Sequence, residues 1–139
     1  MSTLASTLTW DSGLAFAVDQ DGHRFLLDAG TESGGEDRGP RPKALLLSAL
    51  GACSGIDVVS ILAKMRVELE GFELRVSAPL TEEHPRVFTG IHVQYVFRGK
   101  NLPLDKLERA VQLSQERYCG VSAMLAQACP VTHEILVEG

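Results

Sequence analysis

The stretch 42–65, PKALLLSALGACSGIDVVSILAKM, is the longest apolar run in the chain and predicts its central helix. Pro42 suits the first helical turn, where its missing N–H has no intrahelical partner, and Lys64 and Arg66 suit the end, where the dipole favours cations. The first half is apolar nearly all round, so we expect burial on more than one side. Small residues surround Cys53, and their cost in helix propensity indicates a close approach by another backbone or access to the thiol.

Two other interpretations of this run stay open. About 20 apolar residues are enough to cross a bilayer, although Asp57 lies within the run and strand-like amphipathic segments flank it. The run also fits a core helix in which Cys53 is only a small hydrophobe, as most buried free cysteines are. The stretch therefore predicts a helix, but by itself it does not predict a chemical role for Cys53.

Length, charge and cysteine content limit the class of protein. The 139 residues suit a single domain over 1–139. The net charge of −5 gives no electrostatic case for binding nucleic acid or an anionic membrane. The three cysteines are too few for a disulfide scaffold, and the first residues lack the features of a signal peptide. We therefore expect a cytoplasmic protein with reduced thiols and with no metal or organic cofactor.

Hydrophobic alternation and helical spacing predict the remaining elements. Three strands precede the central helix, with a hairpin connection at 19–22, and two more follow it as an antiparallel pair. In the second of that pair, the alternate residues from Val87 to Phe97 share one face, which is mainly apolar. Two helices and a closing strand complete a pattern typical of an α+β fold with antiparallel pairing. The predicted strands cover 2–10, 14–18, 23–28, 72–78, 87–98 and 131–138, and the predicted later helices cover 103–117 and 121–128.

The cysteines carry more chemical information than the histidines. The four histidines lie in separate elements without the spacing of zinc ligands, so they are interpreted as ordinary strand or turn residues. Cys119 lies at a helix interruption, where unpaired N–H groups and the helix dipole lower a thiol pKa. Local physics therefore predicts Cys119 to be the more acidic thiol, although a plain buried cysteine is the alternative. Cys129 is interpreted as structural.

A mid-helix Cys53 lacks such help, so a nucleophilic role for it requires a cation from elsewhere. The nearest candidates in the sequence are Arg38, Arg41 and Lys43. Two of them belong to the glycine-rich loop 29–41, which leads directly into the cysteine helix. Loops of this length are often functional, and a disordered connector is the alternative.

Two segments resemble the OsmC/Ohr family, named for osmotically inducible protein C and organic hydroperoxide resistance protein. Residues 42–59 are similar to the central helix of that family, and residues 110–125, AVQLSQERYCGVSAML, look like its second cysteine segment. GFE at 71–73 and EEHPRVF at 82–88 are similar to the branch often called YhfA-like. The resemblance covers nearly the whole chain, and the elements follow in matching order.

The resemblance implies an OsmC-like α+β fold, with antiparallel sheets around a long buried central helix in an intertwined homodimer. It also implies an antioxidant peroxidase of the oxidative stress response that acts on organic hydroperoxides. Cys53 would attack as the thiolate and become a sulfenic acid, and Cys119 would condense with it to a disulfide. A dithiol reductant, a lipoyl group in Ohr members, would restore both thiols. The site would lie in an apolar pocket at the dimer interface.

Two positions depart from the Ohr pattern. Ohr members carry an arginine in the first hairpin turn, where this chain has Asp11-Ser12-Gly13-Leu14. They carry a glutamate ten residues before the first cysteine, where this chain has Lys43. The cation that activates Cys53 therefore stays open among Arg38, Arg41 and Lys43.

Two other functions share the predicted fold. One is a non-enzymatic redox sensor that uses the same cysteine pair, and the other is a protein whose pocket binds an apolar ligand. Turnover with a dithiol distinguishes the enzyme from the sensor, and a buried, unreactive Cys53 favours the ligand-binding function. The peroxidase mechanism predicts that Cys53 and Cys119 come within bonding reach of each other.

Overall fold

The computed structural model describes residues 2–139 and confirms an α+β fold. The chain forms two compact units, one ending at Leu46 and one beginning at Leu47. The single domain over 1–139 stays a prediction. The elements in chain order are β1 (Thr7–Ser12), β2 (Ala15–Gln20), β3 (His23–Leu27), α1 (Pro42–Lys64), β4 (Gly71–Ser77), β5 (Ile91–Arg98), α2 (Leu104–Leu113), α3 (Gly120–Leu125) and β6 (Val131–Glu138).

The first unit contains an antiparallel sheet in the order β1-β2-β3. Asp21 and Gly22 both have positive φ between the paired residues Gln20 and His23, as a two-residue hairpin turn requires. The hairpin predicted at this position is therefore confirmed. The first strand begins at Thr7, five residues later than predicted, because residues 2–6 form no ladder.

Buried Asp28 orders the loop after β3. Its carboxylate accepts hydrogen bonds from the backbone N–H groups of Ala29 at 2.7 Å, Glu36 at 3.1 Å and Arg38 at 3.2 Å. Burial alone would raise the pKa of Asp28, but these bonds outweigh it and lower the pKa. A Cβ on Gly39 would lie 2.1 Å from a backbone oxygen, so the loop needs glycine there. These contacts are those of a structured loop rather than a disordered connector.

The second unit contains a sheet in the order β4-β5-β6, and its pairing corrects one prediction. β4 and β5 pair antiparallel as expected, whereas β5 and β6 pair parallel along their whole length. A parallel pair requires a long crossover connection, usually helical, and α2 and α3 supply it here. The expectation of antiparallel sheets is therefore right for the first sheet and wrong for one pair of the second.

Strand β5 is the centre of that sheet. Ile91, Val93, Tyr95 and Phe97 alternate along it and are all buried, so the predicted apolar face is confirmed. The strand begins at Ile91 rather than at residue 87, because the preceding residues make only an isolated bridge between Leu80 and Phe88.

Helix α1 is buried on one face within the second unit. Leu50, Val58 and Leu62 are at most 1 % exposed in the core, whereas Ile56 is 70 % exposed and Val59 is 50 % exposed. The expected burial on more than one side is therefore wrong for the single chain. Apolar residues cover both faces of the helix, but the chain itself covers only one.

The same helix is long and apolar enough to cross a membrane by length and composition, with a mean hydropathy of 2.0. One such helix is weak evidence for a membrane span, because a core helix meets the same criteria. The face that carries Leu50, Val58 and Leu62 is buried in the core, so its apolar composition is explained by packing within the chain.

Helix α2 ends in a π-helical turn at Ser114–Tyr118, in the region where a continuous helix was predicted. The backbone N–H of Cys119 donates to the carbonyl oxygen of Ser114, five residues earlier, at 2.8 Å. Single π turns within helices occur often at functional sites. The chain then enters α3, which ends at Leu125, three residues earlier than predicted.

Candidate functional site

Cys53 lies near the middle of α1, half-buried, where it packs against the core of the second unit. The glycines around it make room for strand β4. A Cβ on Gly51 would lie 3.2 Å from Val76, and one on Gly55 would lie 3.1 Å from Leu74. The close approach inferred from the small residues is thus made by side chains of β4 rather than by another backbone.

Cys119 caps the N-terminus of α3, as the helix interruption predicts. Its Sγ atom accepts a hydrogen bond from the backbone N–H of Ser122 at 3.3 Å. The side chain is 3 % exposed and belongs to the hydrophobic core. The thiol therefore combines a helix-capping position with almost complete burial.

Cys53 packs against the hydrophobic cluster to which Cys119 belongs, it is close enough to affect the pKa of Cys119, and both cysteines are free. Burial raises the pKa of Cys119 to about 11, and the hydrogen bond with Cys53 and the charge of Asp57 act in the same direction. The bond from Ser122 opposes them but is outweighed. The predicted acidity of Cys119 is therefore wrong, because desolvation exceeds the effect of the helix N-terminus.

A chain of buried and partly buried hydrogen bonds lies near the two cysteines. Ser54 Oγ lies 2.6 Å from the hydroxyl oxygen of Tyr95 and 2.8 Å from Ser114 Oγ. Ser114 Oγ in turn donates to Asp57 Oδ2 at 3.0 Å. At the other end the amide of Gln115 donates to the Tyr95 hydroxyl.

This chain of hydrogen bonds ends at Cys119. Ser122 Oγ donates to Gln115 Oε1 at 2.8 Å, and the backbone N–H of Ser122 is the group that contacts Cys119. Among the described residues, every buried polar side-chain atom has a hydrogen-bond partner. We call this set the buried polar chain; its members are Asp57, Ser114, Ser54, Tyr95, Gln115 and Ser122.

Sequence reasoning did not identify the buried polar chain as part of the site. A signal was present, because hydrophobic periodicity places Ser114 with the apolar side of α2 and Tyr95 with the apolar face of β5. Polar groups at core positions are normally hydrogen-bonded. Their partners on α1 lie 41 to 60 residues away in the sequence, so the pattern alone does not identify them.

The three candidate cations belong to the first unit. Arg38 donates to Asp11 Oδ2 at 2.7 Å and to Ser12 Oγ at 2.8 Å. Its hydrogen bond and its charge lower the pKa of Asp11. Arg41 donates to Asp37 at 2.6 Å, and Lys43 is exposed in the first turn of α1. Their role as activating groups stays a prediction.

An apolar cavity of about 880 Å³ lies along the open side of α1. Its walls come from α1 and β4, and include Ala52, Ile56, Val59, Phe72 and Leu74. A second cavity of about 580 Å³ is lined by Asp57, Lys64 and Tyr118 among others. Within residues 2–139 no cluster of three or more His, Cys, Asp or Glu side chains could hold a metal ion.

Comparison with known proteins gives the following similarities. A family model described as OsmC-like protein matches residues 34–134. Protein YhfA of Escherichia coli K12 is 39 % identical over 131 residues, which cover 94 % of this chain and 95 % of that protein. Similarity therefore extends over both compact units and both cysteine segments.

Solved structures share the fold. A hypothetical protein from Aquifex aeolicus VF5 is 31 % identical with a TM-score of 0.84, and the match covers 100 % of both chains. An organic hydroperoxide resistance protein OsmC from Legionella pneumophila has a TM-score of 0.72 over 99 % of this chain and 98 % of that one. Its identity is 18 %, so this likeness concerns the fold alone.

Proposed function

Because the chain belongs to the OsmC-like protein family, we propose that it is a thiol-dependent peroxidase that reduces organic hydroperoxides. Cys53 is the attacking residue and Cys119 is its disulfide partner. The observation that carries the proposal is that Cys53 packs against the hydrophobic cluster containing Cys119, in the second unit, near enough to affect its pKa. The names of structural relatives that are organic hydroperoxide resistance proteins support the substrate class.

The proposed reaction has three steps. The Cys53 thiolate attacks one peroxide oxygen, the O–O bond breaks, and the alkoxide leaves as an alcohol after it takes up a proton. Cys53 is then a sulfenic acid. The Cys119 sulfur attacks the sulfenic sulfur, water leaves with the thiol proton, and a disulfide forms. A dithiol reductant of the lipoyl type regenerates both thiols and becomes a disulfide itself.

The identity of the activating cation is part of the proposal. Of the groups that act on Cys119, the backbone N–H of Ser122 favours its thiolate, whereas Cys53 and Asp57 disfavour it. A cation beside the pair would counteract them. Arg38, Arg41 and Lys43 are the candidates, and each of the two arginines would exchange an exposed carboxylate partner for the thiolate.

We further propose a homodimer of single-domain chains in the cytoplasm. The exposed apolar side chains of α1, with Ile56 and Val59 at their centre, support an interface between two copies. The 880 Å³ cavity lies along the same side of α1. A second chain there would enclose an apolar space suited to an alkyl peroxide.

The cavity also favours one alternative function. A cleft of this size with mostly apolar walls is typical of small-molecule sites. Binding of an apolar ligand without thiol chemistry is therefore the second candidate. It predicts that oxidants leave Cys53 unchanged.

The test is mass spectrometry of the reduced protein after one equivalent of cumene hydroperoxide. We expect rapid loss of two hydrogens, about 2 Da, mapped to a Cys53–Cys119 bridge. Cys53→Ser and Cys119→Ser should both abolish the bridge, and Cys119→Ser should accumulate a sulfenic acid on Cys53. Cys129→Ser is the matched control and should behave as the wild type.

A wild-type protein that reacts no faster than a free thiol would contradict the peroxidase. A bridge that involves Cys129 instead would contradict the assignment of the pair.

A further inference from the structure

The direction of each hydrogen bond in the buried polar chain follows from its two ends. The carboxylate of Asp57 only accepts, so the Ser114 hydroxyl donates to it and must accept from Ser54. Because the Ser54 proton is then committed, Ser54 accepts from Tyr95. The same reasoning makes every hydroxyl in the series a donor toward Asp57.

Gln115 continues the series without conflict. Its amide nitrogen donates to the Tyr95 hydroxyl, and its amide oxygen accepts from Ser122. No second arrangement of protons satisfies all these contacts while the carboxylate accepts. The buried polar chain therefore has one defined arrangement, and any displacement of a member breaks a specific bond.

The buried polar chain joins the two segments that carry Cys53 and Cys119. Ser54 directly follows Cys53 on α1, and Ser122 makes the contact to the Cys119 sulfur. Tyr95, on the central strand β5, connects them through Ser54 on one side and Gln115 on the other. Ser54, Ser114 and Tyr95 are each 0 % exposed. Water therefore does not compete for the bonds of Ser54 with Tyr95 and Ser114, and these bonds hold the segments in a fixed geometry.

The π-helical turn contributes two consecutive members. Ser114 reaches Ser54 and Asp57, while Gln115 reaches Tyr95 and Ser122. The turn closes with the bond from the Cys119 N–H to the Ser114 carbonyl. The residue that ends the turn is thus the cysteine itself, and its backbone is tied to the same chain of bonds.

We propose that the buried polar chain sets the distance and orientation between Cys53 and Cys119, with Tyr95 as its central positioning residue. The proposal rests on the assignment of Cys53 and Cys119 as the redox pair. It assigns no contact with substrate to Tyr95. Its effect is on the closure of the disulfide, not on the attack of Cys53 on peroxide.

The test measures the Cys53–Cys119 disulfide in glutathione redox buffers, which needs no peroxidase activity. The ratio of oxidised to reduced protein gives the effective concentration of one thiol at the other. Tyr95→Phe removes one hydroxyl and leaves the ring in place, and we expect it to lower that effective concentration about tenfold. Tyr118→Phe removes the same atom from a 54 % exposed side chain and should match the wild type.

A second variant tests the same bonds independently, in case Tyr95→Phe does not fold. Gln115→Met keeps the length of the side chain and removes the bonds to Tyr95 and Ser122 together, so it should lower the effective concentration to a similar extent. A thermal melt of each variant separates positioning from stability, since a purely structural role would shift the melting temperature without shifting the redox equilibrium.

The outcomes distinguish the two proposals. If the wild type forms no Cys53–Cys119 disulfide at any glutathione ratio, the proposed function fails. If the wild type forms it and both Tyr95→Phe and Gln115→Met keep the wild-type equilibrium, the positioning role is overturned while the redox pair stands. Equal shifts in Tyr95→Phe and Tyr118→Phe would also overturn it.

Discussion

At the scale of single residues, the Cys119 sulfur is subject to opposing influences. The Ser122 N–H at the start of α3 favours the thiolate, whereas burial and the neighbouring Cys53 and Asp57 favour the thiol. Desolvation is the largest of these effects, so the protonated form prevails at neutral pH. In the proposed reaction this thiol brings its own proton to the water that leaves when the disulfide forms.

The raised pKa of Cys119 predicts a specific loss of stability at alkaline pH. The folded state holds the proton more tightly than the unfolded state, so the stabilisation is present below pH 9.0 and is lost as pH rises toward about 11. The free energy of unfolding of the wild type should therefore fall more steeply than that of Cys119→Ala, by at most about 1.4 kcal/mol per pH unit. Urea denaturation at pH 8 to 10 measures both slopes, and parallel slopes would contradict the shift.

At the scale of elements, packing against β4 explains the small residues at the centre of α1. Gly51 faces Val76 and Gly55 faces Leu74, and each glycine leaves just enough room for that side chain. The loss of helix propensity at these positions is offset by closer contact between helix and sheet. The glycines therefore set the depth at which Cys53 lies over the second sheet.

Gly55→Val should destabilise the protein even though valine has the higher helix propensity. The new Cβ alone would lie 3.1 Å from Leu74 Cδ1, and overpacking of this kind costs about 1–3 kcal/mol. Ala63→Val, at an exposed position of the same helix, should cost only a few tenths of a kcal/mol, that is about the propensity difference. Urea denaturation of both variants is the measurement. A Gly55→Val protein as stable as the wild type would contradict the prediction, because it would show that β4 shifts to make room for the valine side chain.

At the scale of the whole molecule, the exposed apolar residues of α1 form the surface on which the proposed dimer rests. Ile56 and Val59 are exposed by 70 % and 50 % beside an apolar cavity. Contiguous apolar surface of this kind marks interaction sites. A second copy is the proposed occupant, since a homodimer is the state that the family resemblance implies.

Ile56→Asp should convert the proposed dimer to a monomer, because it places a charge in the centre of a desolvated interface. Size-exclusion chromatography with light scattering should give twice the 15.0 kDa chain mass for the wild type and the single mass for the variant. Leu104→Asp, at a 51 % exposed position that begins α2, is the control and should stay dimeric. A monomeric wild type would contradict the dimer.

Local patterns in the sequence determined much of this molecule. The alternation along β5, the apolar run of α1 and the turn at Asp21-Gly22 are set by side-chain periodicity and backbone preference, which act over a few residues. The capping position of Cys119 likewise follows from the helix interruption beside Gly120. The resemblance of both cysteine segments supplied the family, which the comparisons confirmed.

Only the tertiary structure decided the parallel pairing of β6, the burial of Cys119 and the buried polar chain. Each depends on segments that lie far apart in the sequence, such as Ser54 and Ser114 at a separation of 60 residues. Periodicity indicates which face of an element is apolar, but not which other element packs against that face. Desolvation and hydrogen-bond direction depend on which elements pack together. For this reason the sequence predicted the position of Cys119 correctly and its acidity wrongly.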